Sequence, residues 1–344
     1  MQSPKFVLSK SNVLEQYETV NSLANSVSYS SKTNQFVTKI LEEETNCFFS
    51  VHFENELKHL KDFSRVIFLA QGWSVETIKG LTDKGIDYFV VDNESDLNTL
   101  LKFLEDNDEN VKLLLRMKLK EYSLKTEKYF VFGMKSDVIN KRIKELEDHS
   151  KIKTLGVHFH RKTQNMSEWN LQYEISNALD RETLEVIDVV NIGGGLPSEY
   201  ANTNMDVLDS IFKKIKEFRE WLEQREVKMI IEPGRFIAAP STKLVTKILG
   251  IHENNIIVDA SVYNADMDAL IVPVKLKVEN ELPKGEGEPY VVKGITPCSM
   301  DLFRYRVYLE KPEVGDELIF LNAGAYNFST DFCDLEKIPT EVVK

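Results

Sequence analysis

Cysteine is scarce in this chain. Its 344 residues include three, Cys47, Cys298 and Cys333, widely separated. An odd, dispersed set excludes a disulfide framework and fits free thiols in a reducing cytosol, so a cytoplasmic protein is expected. No two of them have metal-ligand spacing, and no metal site is expected. Long apolar runs are also missing: nothing approaches the roughly 20 residues needed to cross a bilayer. The opening Met1-Gln2-Ser3-Pro4-Lys5 lacks the basic and apolar regions of a signal peptide. Positive charge is the minority, with 43 Lys and Arg against 55 Asp and Glu and a net charge of -12. That balance argues against nucleic acid or an acidic membrane as partner. Repeats and low-complexity segments are absent. With 42% hydrophobic and 28% charged residues the composition is globular, and the length suits two domains or one barrel plus an addition.

What is present is an alternation of strand-like and helix-like stretches. Apolar strand patterns fall at 26–30, 47–51, 65–69, 88–91, 111–116, 154–159, 186–192 and 228–232. Helical periodicity occupies 34–43, 54–60, 75–84, 94–104, 138–148, 168–179 and 205–225. Gly85 reads as a helix C-cap. Eight strands with intervening helices predict a (β/α)8 barrel. Beyond about residue 235 the helical period fades. Short β-rich runs appear at 244–250, 255–259, 289–292, 306–309 and 317–321, separated by turn signals such as Pro283-Lys284-Gly285. The predicted organisation is an α/β chain: a barrel over 10–240, with an all-β domain built from 1–9 and 241–344.

In such a barrel the C-terminal strand ends form the active face. The residues there are Lys32, Arg116, His158, His160, Gly193-Gly194-Gly195 and Glu232-Pro233-Gly234-Arg235. Glycines at a strand end expose backbone N–H groups that suit a phosphate, although glycine clusters also mark turns. A carboxylate and an arginine at the neighbouring strand end suggest a charged, aromatic cofactor. Lys32, just past the first strand, stands where a Schiff-base lysine could sit.

Six segments in order resemble the fold type III pyridoxal-phosphate (PLP) decarboxylases, the ornithine, diaminopimelate and arginine decarboxylase group. Tyr29-Ser30-Ser31-Lys32-Thr33-Asn34 is similar to that family's Tyr-Ala-x-Lys-Ala-Asn. His158-Phe159-His160-Arg161-Lys162-Thr163-Gln164 resembles its His-x-His-x-Gly-Ser-Gln. Gly193 to Gly195, Glu232 to Arg235 and Gly324-Ala325-Tyr326 match directly, and Cys298-Ser299-Met300-Asp301 resembles its cysteine-plus-acid segment. The resemblance spans about residues 5–326.

It implies an alanine-racemase-like barrel with a C-terminal β domain, PLP as cofactor and release of CO2 from a small-molecule amino acid. Lys32 would carry PLP covalently. Glu232 would pair with the pyridine nitrogen. His160 would stack on the ring, with His158 pointing the other way as a packed strand histidine. The phosphate would be held by Gly193, Gly194, Gly195, Gly234, Arg235, Thr163 and Tyr326. Arg116 would support the pocket or form a structural ion pair. Cys298, delivered from the second subunit of a head-to-tail homodimer with shared active sites, would protonate the α-carbon, a task suited to a thiol pKa near 8.5.

Three departures bear on substrate. Ser299 replaces the acid that follows the family's cysteine, so either Asp301 takes over the distal contact, with Ser299 and Tyr326 beside the substrate, or no acid makes it. Arg161-Lys162 replaces a small or apolar pair, placing two cations near the phosphate rim, one of which could bind an acidic substrate group. The tail is short, leaving Tyr326, Phe328 and Phe332 for the aromatic contacts. Substrates with a distal amine or amino-acid head are expected, and a distal carboxylate gains ground over ornithine. An amino-acid racemase on the same fold and a non-catalytic regulatory homologue are the alternatives.

Overall fold

The computed structural model describes residues 3–119, 131–327 and 329–344. The chain forms two compact units, one of Glu18–Leu196 with Asp206–Pro233, the other of Met1–Tyr17, Pro197–Met205 and Gly234–Lys344.

The first strand of the chain, β1 (Lys5–Ser9), belongs to the second of these units. The first unit is a closed parallel barrel of β2 (Ser26–Ser30), β3 (Phe48–Val51), β4 (Val66–Ala70), β5 (Tyr88–Val91), β6 (Val111–Arg116), β7 (Ile152–His158), β8 (Val189–Asn191) and β9 (Lys228–Ile231). The strands are short and, apart from the serine-rich β2, mostly apolar, because parallel strands are covered on both faces. Ile67, Tyr88, Val90, Leu114, Val189 and Ile230 pack together as a core. The covering helices are amphipathic and capped by the residues that precede them. Asn93 accepts the Asp96 N–H ahead of Glu94–Asp106, and Ser74 accepts the Thr77 N–H ahead of Val75–Thr82. Gly85 ends the latter segment at φ +88°, the left-handed region a C-cap needs. Two expectations shift. Residues 54–60 form a 3-10 turn, Glu54–His59. Residue 186 closes an extra helix, Arg181–Val186, because the Asp180 carboxylate caps it by accepting the Thr183 N–H. β8 therefore starts three residues later than the apolar run suggests.

The second unit is mostly sheet. Its strands are β10 (Thr242–His252), β11 (Asn255–Val258), β12 (Lys277–Val278), β13 (Glu288–Lys293), β14 (Leu302–Leu309), β15 (Glu317–Leu321) and β16 (Thr340–Val343). They run in the order β12-β15-β10-β11-β13-β14, with β1 antiparallel to β10 and parallel to β16. The segment Lys5–Ser9 thus joins this sheet. Phe320, Ile256, Val258, Leu244 and Val292 are fully buried at its core. Two four-residue helices, Val262–Ala265 and Asp268–Ile271, interrupt the strands.

Candidate active site

At the barrel's C-terminal rim, Glu232 is buried among donors. Its Oε1 accepts from Ser50 Oγ at 2.7 Å and Asn191 Nδ2 at 2.9 Å, and its Oε2 lies 3.1 Å from His158 Nε2. Asn191 Oδ1 takes the Gly193 N–H at 2.9 Å, which turns the amide's NH2 toward Glu232. An NH2 group only donates, so this Glu232 oxygen is an acceptor. Burial alone would raise the Glu232 pKa. The His158 imidazole, the Ser50 hydroxyl and the His52 charge reverse that, and the carboxyl is held well below the usual carboxylate range.

His160 stands two residues past His158. Its Nδ1 accepts the Gly194 N–H at 3.1 Å, which leaves the ring proton of the neutral form on Nε2. Burial among protein atoms, followed by the Lys32 charge, pushes its pKa down to about 3, so the ring is neutral at pH 7. Lys32 lies in the 3-10 turn Ser31–Thr33 directly after β2 and is exposed. The glycines are set by close approach. A Cβ on Gly193 would lie 2.3 Å from the Phe159 carbonyl, and one on Gly194 would lie 2.7 Å from the Glu232 carbonyl. Of the three glycine N–H groups, those of Gly193 and Gly194 are spent on Asn191 and His160, and among the described residues only that of Gly195 lacks such a partner.

The second unit holds two further clusters. Arg235 is buried, and both its terminal nitrogens face the Asp268 carboxylate, Nη2 at 2.9 Å from Oδ1; Nη1 also donates to Tyr200 Oη at 2.9 Å. The Tyr326 ring lies 5.2 Å from the guanidinium. In the other cluster, Tyr263 Oη and Cys298 Sγ are 3.2 Å apart, and Phe332 stacks on the Tyr263 ring with centroids at 3.9 Å. Asp301 is buried beneath Cys298 and accepts from the Val262 N–H at 2.9 Å, the Thr296 N–H at 3.0 Å and the Thr296 hydroxyl at 2.7 Å.

Residues 11–239 match the family described as pyridoxal-dependent decarboxylase, pyridoxal binding domain. The chain belongs to that family. It is 23% identical over 81% of its length to a Staphylococcus aureus 2-[(L-alanin-3-ylcarbamoyl)methyl]-2-hydroxybutanedioate decarboxylase, covering 76% of that protein. It is 25% identical to the Aquifex aeolicus diaminopimelate decarboxylase over 77% of this chain and 66% of that one. The Methanocaldococcus jannaschii diaminopimelate decarboxylase shares the fold at a TM-score of 0.85, with 21% identity over 100% of this chain and 88% of its own. This decarboxylase is therefore a PLP-dependent carboxy-lyase of barrel-plus-β-domain architecture.

The barrel residues fit PLP. An exposed amine, a buried carboxylate fixed as an anion and a neutral imidazole occupy one barrel mouth, as an aldehyde-bearing pyridinium requires. Several expected residues are placed differently. His158 does not point away as a packed strand histidine; it faces the barrel interior and holds Glu232. Alternation applies only while a strand continues, and β7 ends at His158, so His160 carries no parity information. Arg235, expected to face the phosphate, is committed to Asp268 and Tyr200. Arg161, expected at the phosphate rim, is buried, pairs with Glu174 at 3.0 Å and lies 5.9 Å from the Phe159 and Trp169 rings. Asp301 turns inward, whereas Ser299 is exposed. Arg116 forms a 3.0 Å ion pair with Asp92. Thr163 and Gly234 are partly exposed, as are Lys162 and Tyr326 to differing degrees. Phe328 lies outside the described residues. Ser50, Asn191 and Tyr263 were not anticipated. Asn191 sits two residues before the glycines, but its role depends on strand register that no local pattern carries.

Proposed function

We propose that this decarboxylase acts on an amino acid whose far end bears a carboxylate, as a free acid or as part of an amino-acid head, and not on a simple diamine precursor such as ornithine. The commitment of Asp301 carries this reading. It is the only acid in segment 294–301, and its oxygens are occupied by Val262 and Thr296. A distal ammonium entering beside Cys298 would find no carboxylate of this loop to offset its desolvation. The S. aureus relative supports the same class, since its name describes an amino acid joined to a hydroxybutanedioate.

In this reading Lys32 would hold PLP, the Glu232 anion would serve its ring nitrogen and His160 its ring face. Gly195 and Thr163 would serve the phosphate, with Gly193 and Gly194 shaping the turn, and Arg116 would steady the barrel mouth through Asp92. PLP supplies the electron sink for cleavage of the Cα–carboxylate bond. Cys298 of a second copy then delivers a proton to the α-carbon.

CO2 release by the PLP-loaded protein tests the substrate class. The panel holds ornithine, lysine, arginine, diaminopimelate stereoisomers and citryl-linked diamino acids. A carboxylate-ended substrate should exceed ornithine and lysine in kcat/KM by on the order of tenfold or more. Ornithine or lysine as the best substrate would overturn the reading. Loss of chirality without CO2 would instead favour a racemase.

A further inference from the structure

The proton donor has a neighbour that no family motif called attention to. Tyr263 is the second residue of the short helix Val262–Ala265, and its hydroxyl meets Cys298 Sγ at 3.2 Å. Three separate segments are clasped to make this contact. Asp301 ties the Cys298 segment to the helix through the Val262 N–H. Thr330 ties the third segment through its N–H and hydroxyl, both 3.0 Å from the Tyr263 carbonyl. Phe332, two residues on, stacks on the Tyr263 ring. A surface tyrosine and cysteine in chance contact would not need buried Asp301 as a brace.

We propose that Tyr263 is a positioning residue for the proton step: it aims the Cys298 thiol and hydrogen-bonds the thiolate left when the proton has gone. The balance is simple. The S–H bond breaks as the new C–H bond forms, the electron pair stays on sulfur, and the Tyr263 O–H turns to donate to it. Solvent then returns a proton to sulfur. A donor held against the developing anion stabilises the charged product selectively, which is how a fixed dipole lowers a proton-transfer barrier. The proximity is consistent with the titration of the pair. The Tyr263 hydrogen bond and then the Met300 N–H lower the Cys298 pKa, while the same bond pushes Tyr263 up to about 12. The other titratable groups around the pair are Asp301, whose carboxylate opposes the thiolate, and Cys333. This inference rests on Cys298 as proton donor. It also gives the inward turn of Asp301 a purpose: the acid no longer reads substrate because it supports the donor.

The test measures the thiol directly. In a Cys333→Ser background of the PLP-loaded protein, Cys298 is alkylated with iodoacetamide across pH, and the site is confirmed by peptide mass; Cys47 is buried. Tyr263→Phe keeps the ring stack and removes the hydroxyl. It should move the alkylation midpoint up by about one pH unit and slow alkylation at pH 7 roughly tenfold. With substrate, it should also raise the share of transamination product. If Tyr263→Phe fails to fold, 3-fluorotyrosine at position 263 keeps the shape and donates more strongly, and should move the midpoint down. An unshifted profile in a folded variant overturns the role of Tyr263. Failure of the donor reading is a different result: Cys298→Ala would then form the same product at the same rate, whatever the alkylation profile shows.

Discussion

Single residues in this protein are read best from what their neighbours already use. Asp266 is a clear case. Its carboxyl is buried, and among the described residues Oδ2 has no hydrogen-bond partner. Burial and then the adjacent Asp268 charge raise its pKa well above the ordinary carboxyl value. The folded state therefore binds a proton that the unfolded state releases from about pH 4. Between the unfolded and folded pKa values the unfolded state binds fewer protons, so stability falls as pH rises. Asp266→Asn cannot ionise and should remove that loss. It should gain on the order of 1–3 kcal/mol at pH 8 and little or nothing near pH 4, read from Tm in the two buffers. A variant equally destabilised at both pH values would show that the carboxyl has a partner the neutral amide cannot replace. Legibility follows the same line. Lys32 and Glu232 stood out as charged residues at barrel strand ends, and Cys298 through the resemblance of its local segment. The inward role of His158 and the redirection of Arg235 depend on Asp268, Asn191 and Ser50, which are distant in sequence and carry no motif.

At the scale of elements, the glycine segment is set by close approach even where its N–H groups are already used. The run between β8 and the following loop crosses the ends of β7 and β9 so closely that backbone meets backbone. A methyl on Gly194 would be 2.7 Å from the Glu232 carbonyl oxygen and 3.2 Å from His160 Cε1. Both neighbours serve the candidate site, and neither is the end of a flexible chain. Gly194→Ala should therefore displace the His160 ring and the Glu232 backbone together. The expected cost is about 1–3 kcal/mol of stability, typical of overpacking, with PLP affinity reduced roughly tenfold or more. Equilibrium dialysis of PLP and thermal unfolding check it; unchanged PLP binding would show that the segment shifts without moving the site. At this scale the strands at 88–91 and 111–116 were legible to the residue, because continuous apolar runs bounded by polar turns have few alternatives. The helix Arg181–Val186 was not, since its six residues are too few for a helical period, and Asp180 as its cap is visible only once the turn is known to be there. The helices Val262–Ala265 and Asp268–Ile271 escaped for the same reason.

At the scale of the whole molecule the open matter is whether two copies complete each site. The proposal places Lys32 of one copy with Cys298 of another, and the segment that carries Cys298 also exposes Ile295 and Met300, at 45% and 58%. The arrangement can be tested by mixing. Lys32→Ala removes the amine, and Cys298→Ala removes the donor, so each homodimer lacks one of the two in both sites. Subunit exchange between the variants would give mixed dimers in which one site has both lesions and the other has neither. With random exchange half the dimers are mixed and each has one intact site, so amine formation should recover to about a quarter of the unmodified protein's rate, as two-fold symmetry dictates. Recovery must depend on mixing and be absent from either variant alone. If exchange is demonstrated by size and mass yet no amine forms, the two residues act within one copy, and the shared-site arrangement fails while the decarboxylase chemistry stands.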